Sequence, residues 1–196
     1  TAASLITVLL AIFLTFTSRY FGSRTINATN RLAILGYAVP GAVIAIGILL
    51  LAKQVNQAIG WIMTGSLSML VLAYVVRFLA VAWQPIDSGM ERNCEQINNA
   101  SRSLGVTAIR SLTKINIPML RNALVAAGLF VFVDTMKELP LTLILRPFNF
   151  ETLSTKTFDL AQQAQIPESA VPALCIIIVS LLPLIWLNFQ IRNTEK

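Results

Sequence analysis

The chain has 196 residues, 56% of them hydrophobic and only 12% charged, with a mean hydropathy of +0.71. Soluble domains carry roughly a quarter charged residues, so a soluble globular class is excluded at the outset. The 15 Lys and Arg against 9 Asp and Glu sit in several short polar stretches, which excludes a nucleic-acid face, and the absence of histidine excludes His-based catalysis and His-ligated metals.

The apolar residues come in blocks of about 15–25, the length that a ~30 Å hydrocarbon core demands of helices whose backbone groups must all be satisfied internally. In chain order the blocks are residues 2–16, 32–52, 59–81, 119–139 and 171–187. The expected fold is therefore all-α, a polytopic transmembrane helical bundle of about five spans. Thr1-Ala2-Ala3-Ser4 has neither an initiator Met nor a charged leader region, so the start reads as a cut within a longer protein. Tyr37-Ala38-Val39-Pro40-Gly41 stands near the head of the second block, where proline and glycine can bend a helix. Cys94 and Cys175 lie far apart in unlike settings, so no disulfide framework or zinc spacing is expected.

Five spans put residues 17–31, 84–121 and 188–196 on one side and 53–58 and 140–170 on the other. The first set holds Arg19, Arg24, Arg31, Arg92, Arg102, Arg110, Lys114, Arg121, Arg192 and Lys196, the second only Lys53, Arg146 and Lys156, so the positive-inside rule makes the first set cytoplasmic. Arg77 and Lys137 fall near span ends, where long side chains snorkel.

The loop at 84–121 is patterned. Ser88 and Glu91 have the spacing expected of a capping box, followed by Met90, Cys94, Ile97, Ser101 and Leu104 at helical spacing. Gly105 is placed to end this helix in a left-handed conformation, Thr107 to cap a second short helix carrying Ile109 and Leu112, and Pro118 to sit in the first turn of the next span. Periodicity leaves two readings open: a hairpin that docks a soluble partner, or an interfacial helix on lipid headgroups.

Near the end of the fourth block, Asp134, Lys137 and Glu138 stand at i, i+3 and i+4, some 16 to 20 residues past Pro118, which is about 24–30 Å along a helix. An Asp134–Lys137 ion pair leaves Glu138 as the excess charge, a candidate for the translocation pathway because ionisable groups at membrane depth are costly, and for a hard cation because carboxylate oxygen suits one. Beyond it, 140–170 is an outer loop in which residues 153–163 are expected to form a short helix. That loop reads as a docking surface or as a simple lid, with Arg146 and Lys156 as scattered cations.

Asn99-Ala100-Ser101, three residues, Gly105, nine residues, then Ile115-Asn116-Ile117-Pro118 resembles the EAA loop of ABC importer permeases, whose pattern is Glu-Ala-Ala, three residues, Gly, nine residues, Ile-x-Leu-Pro. Ala100, Gly105, Ile115 and Pro118 match directly and Ile117 is a close substitute, whereas Asn99 replaces the glutamate and lacks its charge-assisted bonding. The resemblance implies a type I importer permease core. Its cytoplasmic hairpin would sit in a cleft of an ATPase dimer and transmit nucleotide-driven closure as alternating access. ATP would be held by that partner, since no GxxxxGK[ST] occurs here, and no cofactor would be bound by this chain.

Leu35-Gly36-Tyr37-Ala38-Val39-Pro40-Gly41 and Lys137-Glu138-Leu139-Pro140 through Leu145-Arg146-Pro147-Phe148 resemble the ferric-iron branch, whose permeases carry two homologous halves. That implies residues 1–196 as the second half, a first half in the same or a second chain, a periplasmic substrate-binding protein, membrane lipid around the spans and a bacterial inner-membrane location. The alternatives are another cargo such as thiamine, a polyamine or an anion, and an ion-coupled secondary transporter using Asp134 and Glu138 as a relay. An intramembrane enzyme lacks its motifs: there is no HExxH and no GxSxG with a histidine.

Overall fold

The computed structural model describes residues 2–21, 28, 30, 34–60, 64–93 and 95–194. Nothing but helices and their connections occurs among them. They are α1 (Ala2–Phe21), a 3-10 turn (Ile34–Ala38), α2 (Gly41–Ile59), α3 (Leu67–Asn93), α4 (Glu95–Ser103), α5 (Ala108–Met119), α6 (Arg121–Lys137), α7 (Pro140–Leu145), α8 (Leu153–Gln162) and α9 (Ile166–Thr194). Four helices are long and apolar enough to cross a membrane: Ala2–Tyr20, Gly41–Ala58, Leu67–Glu91 and Ile166–Pro183. The pair α5 and α6, bent by 77° at a short break, makes a fifth if counted as one span. The chain is a multi-pass helical membrane protein, as its composition requires.

The helices of the first, second and fifth blocks run past the apolar residues, to Phe21, to Ile59 and over Ile166–Thr194, and three further boundaries differ for local reasons. The second span starts at Gly41 instead of residue 32, because Pro40 in an extended conformation (φ −54, ψ 137) stands outside the helix it precedes. The third starts at Leu67 instead of residue 59, because Gly60 (φ +74) ends α2 with its N–H on the Asn56 carbonyl. It also runs on to Asn93, through Pro85, so Ser88 and Glu91 lie inside α3 and start no helix. Packing overrides the proline: Ile86 and Met90 are fully buried, and Asp87 receives the Arg19 Nε at 2.7 Å. Of the apolar stripe expected from Met90 to Leu104, Met90 belongs to α3 and Ile97 and Ser101 to α4, with Cys94 outside the described residues.

The chain divides into two compact units, residues 1–38 with 78–131 and residues 39–77 with 132–196. In the first, α1 turns a face of small residues and hydroxyls inward: Ala3, Ser4, Thr7, Ala11 and Thr15 are buried, while Leu5, Leu9 and Phe13 face outward. Thr7 and Thr15 donate to the carbonyls four residues earlier at 2.7 Å, and Ser4 Oγ donates to the Gly128 carbonyl at 2.9 Å, so the polar atoms need no water.

In the second unit α7 packs on α2, and α8 packs on α9. A reciprocal capping box starts α8, with Thr152 accepting from the Thr155 N–H and Thr155 Oγ1 accepting from the Thr152 N–H. The helix expected at residues 153–163 is thus present as Leu153–Gln162. The two cations of the 140–170 segment are committed internally, Arg146 to Asp159 at 2.9 Å and Lys156 to Glu151 at 3.2 Å.

Candidate functional site

The hairpin of the first unit is built from α4, a tight turn and α5. α4 ends with the Leu104 N–H on the Ala100 carbonyl (3.1 Å) and the Val106 N–H on the Ser101 carbonyl (3.0 Å). Gly105 takes φ +72, and a Cβ built there meets nothing within 4 Å, so backbone conformation alone favours glycine. Thr107 occupies the N-cap position of α5 in an extended conformation, without a side-chain bond to it.

Within α5 the residues Leu112–Asn116 form a π-turn, with the Ile117 N–H bonded to the Leu112 carbonyl. Pro118 has no N–H to give, so a widened turn before it lets the helix persist to Met119. The expectation that Pro118 opens the next span is corrected accordingly. It closes α5, and the chain then breaks at Leu120 and turns 77° into α6.

The interior of this hairpin is polar. Asn98, Ser101, Ser111 and Asn116 are all buried. Asn98 Oδ1 accepts from Ser111 Oγ at 3.1 Å and from Asn116 Nδ2 at 3.0 Å, and Ser101 Oγ donates to the Asn98 carbonyl at 2.9 Å. The large apolar residues near the turn face outward instead: Leu104 is 82% and Ile109 77% exposed. Of the residues singled out from the sequence, Asn99 lies in α4 with its side chain outside the description. Ala100 is exposed, Ser101 joins the buried network, Ile115 is half-buried, and Ile117 and Pro118 lie toward the surface.

Asn98, Ser111 and Asn116 were not foreseen. Asn98 and Ser101 share a face at i, i+3, a signal a search for apolar periodicity passes over. Ser111 and Asn116 are five apart, which is off-face on an α-helix, and only the i→i+5 geometry of the π-turn brings them together.

The second unit holds the charged residues of interest. Asp134 and Lys137 pair at 2.7 Å, as the i, i+3 spacing predicts, with Lys137 61% exposed. Glu138 lies beyond the last residue of α6 and does not continue the face of Asp134. Nor is it left unpaired: Arg77 Nε donates to its Oε2 at 3.1 Å, and the Leu141 N–H of α7 donates to Oε1 at 3.3 Å. Its carbonyl accepts the hydroxyls of Thr142 at 2.8 Å and Ser154 at 3.1 Å. Arg77, expected to snorkel at a span end, instead lies inside α3 and also donates to the Val39 carbonyl at 2.7 Å. Tyr74, one turn earlier, bonds Thr142 Oγ1 at 2.6 Å. The excess charge inferred for Glu138 is thus corrected: Arg77, 61 residues away in the chain, pairs with it. Among the described residues no three Cys, Asp or Glu side chains are grouped to hold a metal ion.

With this geometry in view, the sequence matches the family described as binding-protein-dependent transport system inner membrane component over residues 7–196. It is 28% identical over 185 residues to the Fe(3+)-transport system permease protein FbpB 2 of Haemophilus influenzae, covering 94% of this chain and 36% of that protein. It is 26% identical over 188 residues to the putative 2-aminoethylphosphonate transport system permease protein PhnV of Salmonella paratyphi A, covering 96% of this chain and 69% of that one. Against the putrescine transport system permease protein PotI of Escherichia coli K12 the identity is 24% over 168 residues, covering 86% and 59%. The chain therefore spans only 36% of the length of the iron permease it resembles.

Proposed function

Because the chain belongs to the family of binding-protein-dependent transport system inner-membrane components, we propose that it forms one membrane-spanning half of an ATP-driven importer of ferric iron in a bacterial inner membrane. Family membership makes it a transport component of ABC permease type. The driving ATP is hydrolysed by a separate ATPase dimer docked on the α4–α5 hairpin, and cargo arrives from a periplasmic binding protein.

The observation that carries the docking is the inverted character of the hairpin. Its interior is polar and joined by its own side chains, and its exposed tip carries Leu104 and Ile109 with Arg110 and Lys114 beside them. Apolar anchors of this kind fill a groove on a partner. In this reading Asn99, Ala100, Ser101, Gly105, Ile115, Ile117 and Pro118 shape the hairpin, with Gly105 setting the turn and Ser101 serving inside the network.

Docking is tested by cysteine labelling. Ser101 is buried and unsuited, so Leu104→Cys is placed in a background carrying Cys94→Ser and Cys175→Ser. An impermeant maleimide is expected to label it in inside-out vesicles but not in right-side-out ones, with protection when the ATPase is bound. Labelling from the outside would overturn the sidedness.

Iron as cargo is supported by the two quoted iron-type stretches and by the similarity to an iron permease across 94% of this chain. The similarity to PhnV over 96% of the chain favours an organophosphonate as the second reading. Uptake of radiolabelled ferric iron, 2-aminoethylphosphonate and putrescine into vesicles holding the complete transporter separates these. ATP-dependent accumulation of iron alone is expected, and accumulation of either other compound without iron refutes the cargo assignment. Alternating access then follows from a rigid-body shift that the ATPases impose on the hairpin. Asp134 and Glu138 were candidates for the pathway. Their pairing with Lys137 and Arg77 supports an anchoring role instead, with a cation contact at Glu138 as the competing outcome tested below.

A further inference from the structure

The hairpin must do more than dock, because a movement at its tip counts only if it reaches a span. Asn116 is the residue where the two requirements meet. Its side-chain Nδ2 donates to Asn98 Oδ1 at 3.0 Å and to the Ser111 carbonyl at 3.0 Å, fastening α4 to α5. Its backbone carbonyl accepts the Leu120 N–H at 2.9 Å across the 77° break, and the Leu120 carbonyl accepts the Leu124 N–H at 2.8 Å within α6. Hydrogen bonds thus run without interruption from the middle of α4 to the second turn of α6.

We propose that the Asn98–Ser111–Asn116 network is the linkage that carries hairpin movement into α6, with Asn98 and Asn116 as positioning residues that touch neither ATPase nor cargo.

Three features fit this role. Asn98 Oδ1 takes donors from both ends of the π-turn, Ser111 before it and Asn116 at its close, and Ser101 Oγ meets Ser111 Oγ at 3.4 Å, so two residues of α4 are joined to α5. The network is buried and uncharged, so its bonds are strengthened by low dielectric without a charge to desolvate. It also leaves Leu104 and Ile109 free for a partner, since the hairpin keeps its shape without folding them inward. Asn116 Oδ1 accepts no bond from the protein, so the residue acts in the network through Nδ2 alone.

The inference rests on the reading that the hairpin docks an ATPase, and the test separates the two. The complete transporter is reconstituted in proteoliposomes, and ATP hydrolysed per cargo ion imported is measured for Asn98→Leu, Asn116→Leu and the double variant. Each single variant deletes the Asn98–Asn116 bond and strands a buried partner, so the ratio is expected to rise about tenfold while the ATPase copurifies at the wild-type amount. In the double variant two leucines replace the bonded pair, so assembly is expected to improve because neither of the two is left stranded, while the ratio stays at least as high as in the single variants because the linkage is absent. Ser111→Ala removes one donor to Asn98 with little change of size and is read where a leucine variant does not assemble, with a rise of about threefold expected.

A network that only stabilised the fold would lower the amount of complex and leave the ratio unchanged, and that result overturns the linkage. If the ATPase fails to copurify with the wild-type chain, the docking reading fails first and the linkage falls with it. If it copurifies and the ratio does not move in the variants, the linkage alone is refuted.

Discussion

Arg77→Met is expected to remove most of the assembled protein, and Glu138→Gln a smaller share, while the two together restore much of what either loses. The side chains are only 17% and 8% exposed, so neither charge is screened by solvent to any extent. Without the guanidinium, the Glu138 carboxylate keeps, among the described residues, the Leu141 N–H as its donor, in a setting that penalises an uncompensated charge. Breaking a buried pair from one side costs about 3–5 kcal/mol. Native stabilities run to about 5–15 kcal/mol, so that is a large fraction of the total.

In Glu138→Gln the amide retains the size and can still accept from Leu141, and Arg77 keeps the Val39 carbonyl, which is why the loss is smaller. The double variant leaves no buried charge at the site. Folded protein after solubilisation, thermal midpoint and cargo uptake per assembled complex are the readouts. If Arg77→Met assembles normally, the anchor is refuted. If Glu138→Gln assembles normally but loses uptake, Glu138 meets the cargo and the original cation reading is restored. Asp134→Asn should be milder than either, because Lys137 at the end of α6 is mostly exposed and can reach the interface without its partner.

The difference between what was legible and what was not follows from the range over which each signal acts. Span number, the Gly105 turn and the helix at 153–162 are local properties: an apolar run, a residue tolerant of φ +72, a threonine three residues before another. Each is written in consecutive residues. The start of α2 was misplaced for a related reason. An average over a window of about 19 residues cannot see that one proline puts its predecessors outside the helix. The third block was ended too early, at residue 81, since the burial of Ile86 and Met90 that keeps α3 going past Pro85 comes from elsewhere in the chain. The site residues divide along the same line. Asp134–Lys137 is an i, i+3 pair and was foreseen, whereas Arg77–Glu138 spans 61 residues and Asn98–Asn116 spans 18, and neither bond has a sequence periodicity to announce it.

Gly41 supplies the second large effect, and here the requirement is space. It opens α2 with an ordinary backbone, yet a Cβ built there stands 2.5 Å from Glu138 Oε1, 3.2 Å from Arg77 Cζ and 3.3 Å from Leu141 Cβ. A lone carboxylate oxygen at the end of a flexible side chain would swing aside at little cost. This one is held by Arg77 on one oxygen and by the Leu141 N–H on the other, so moving it disturbs both bonds. Alanine gains about 1 kcal/mol over glycine in a helix interior, and less in a first turn, whereas overpacking costs about 1–3 kcal/mol before the loss of the hydrogen bonds is added. Gly41→Ala is therefore expected to lower the thermal midpoint, and Gly41→Val to lower it further and reduce assembled protein several-fold. The decisive comparison is Gly41→Ala in a chain already carrying Arg77→Met and Glu138→Ala. With the carboxylate and guanidinium gone, the added methyl has room, and its penalty should vanish or turn into a small gain. A penalty of equal size in both backgrounds would place the clash elsewhere and show that Gly41 is not where α2 closes on the Arg77–Glu138 pair.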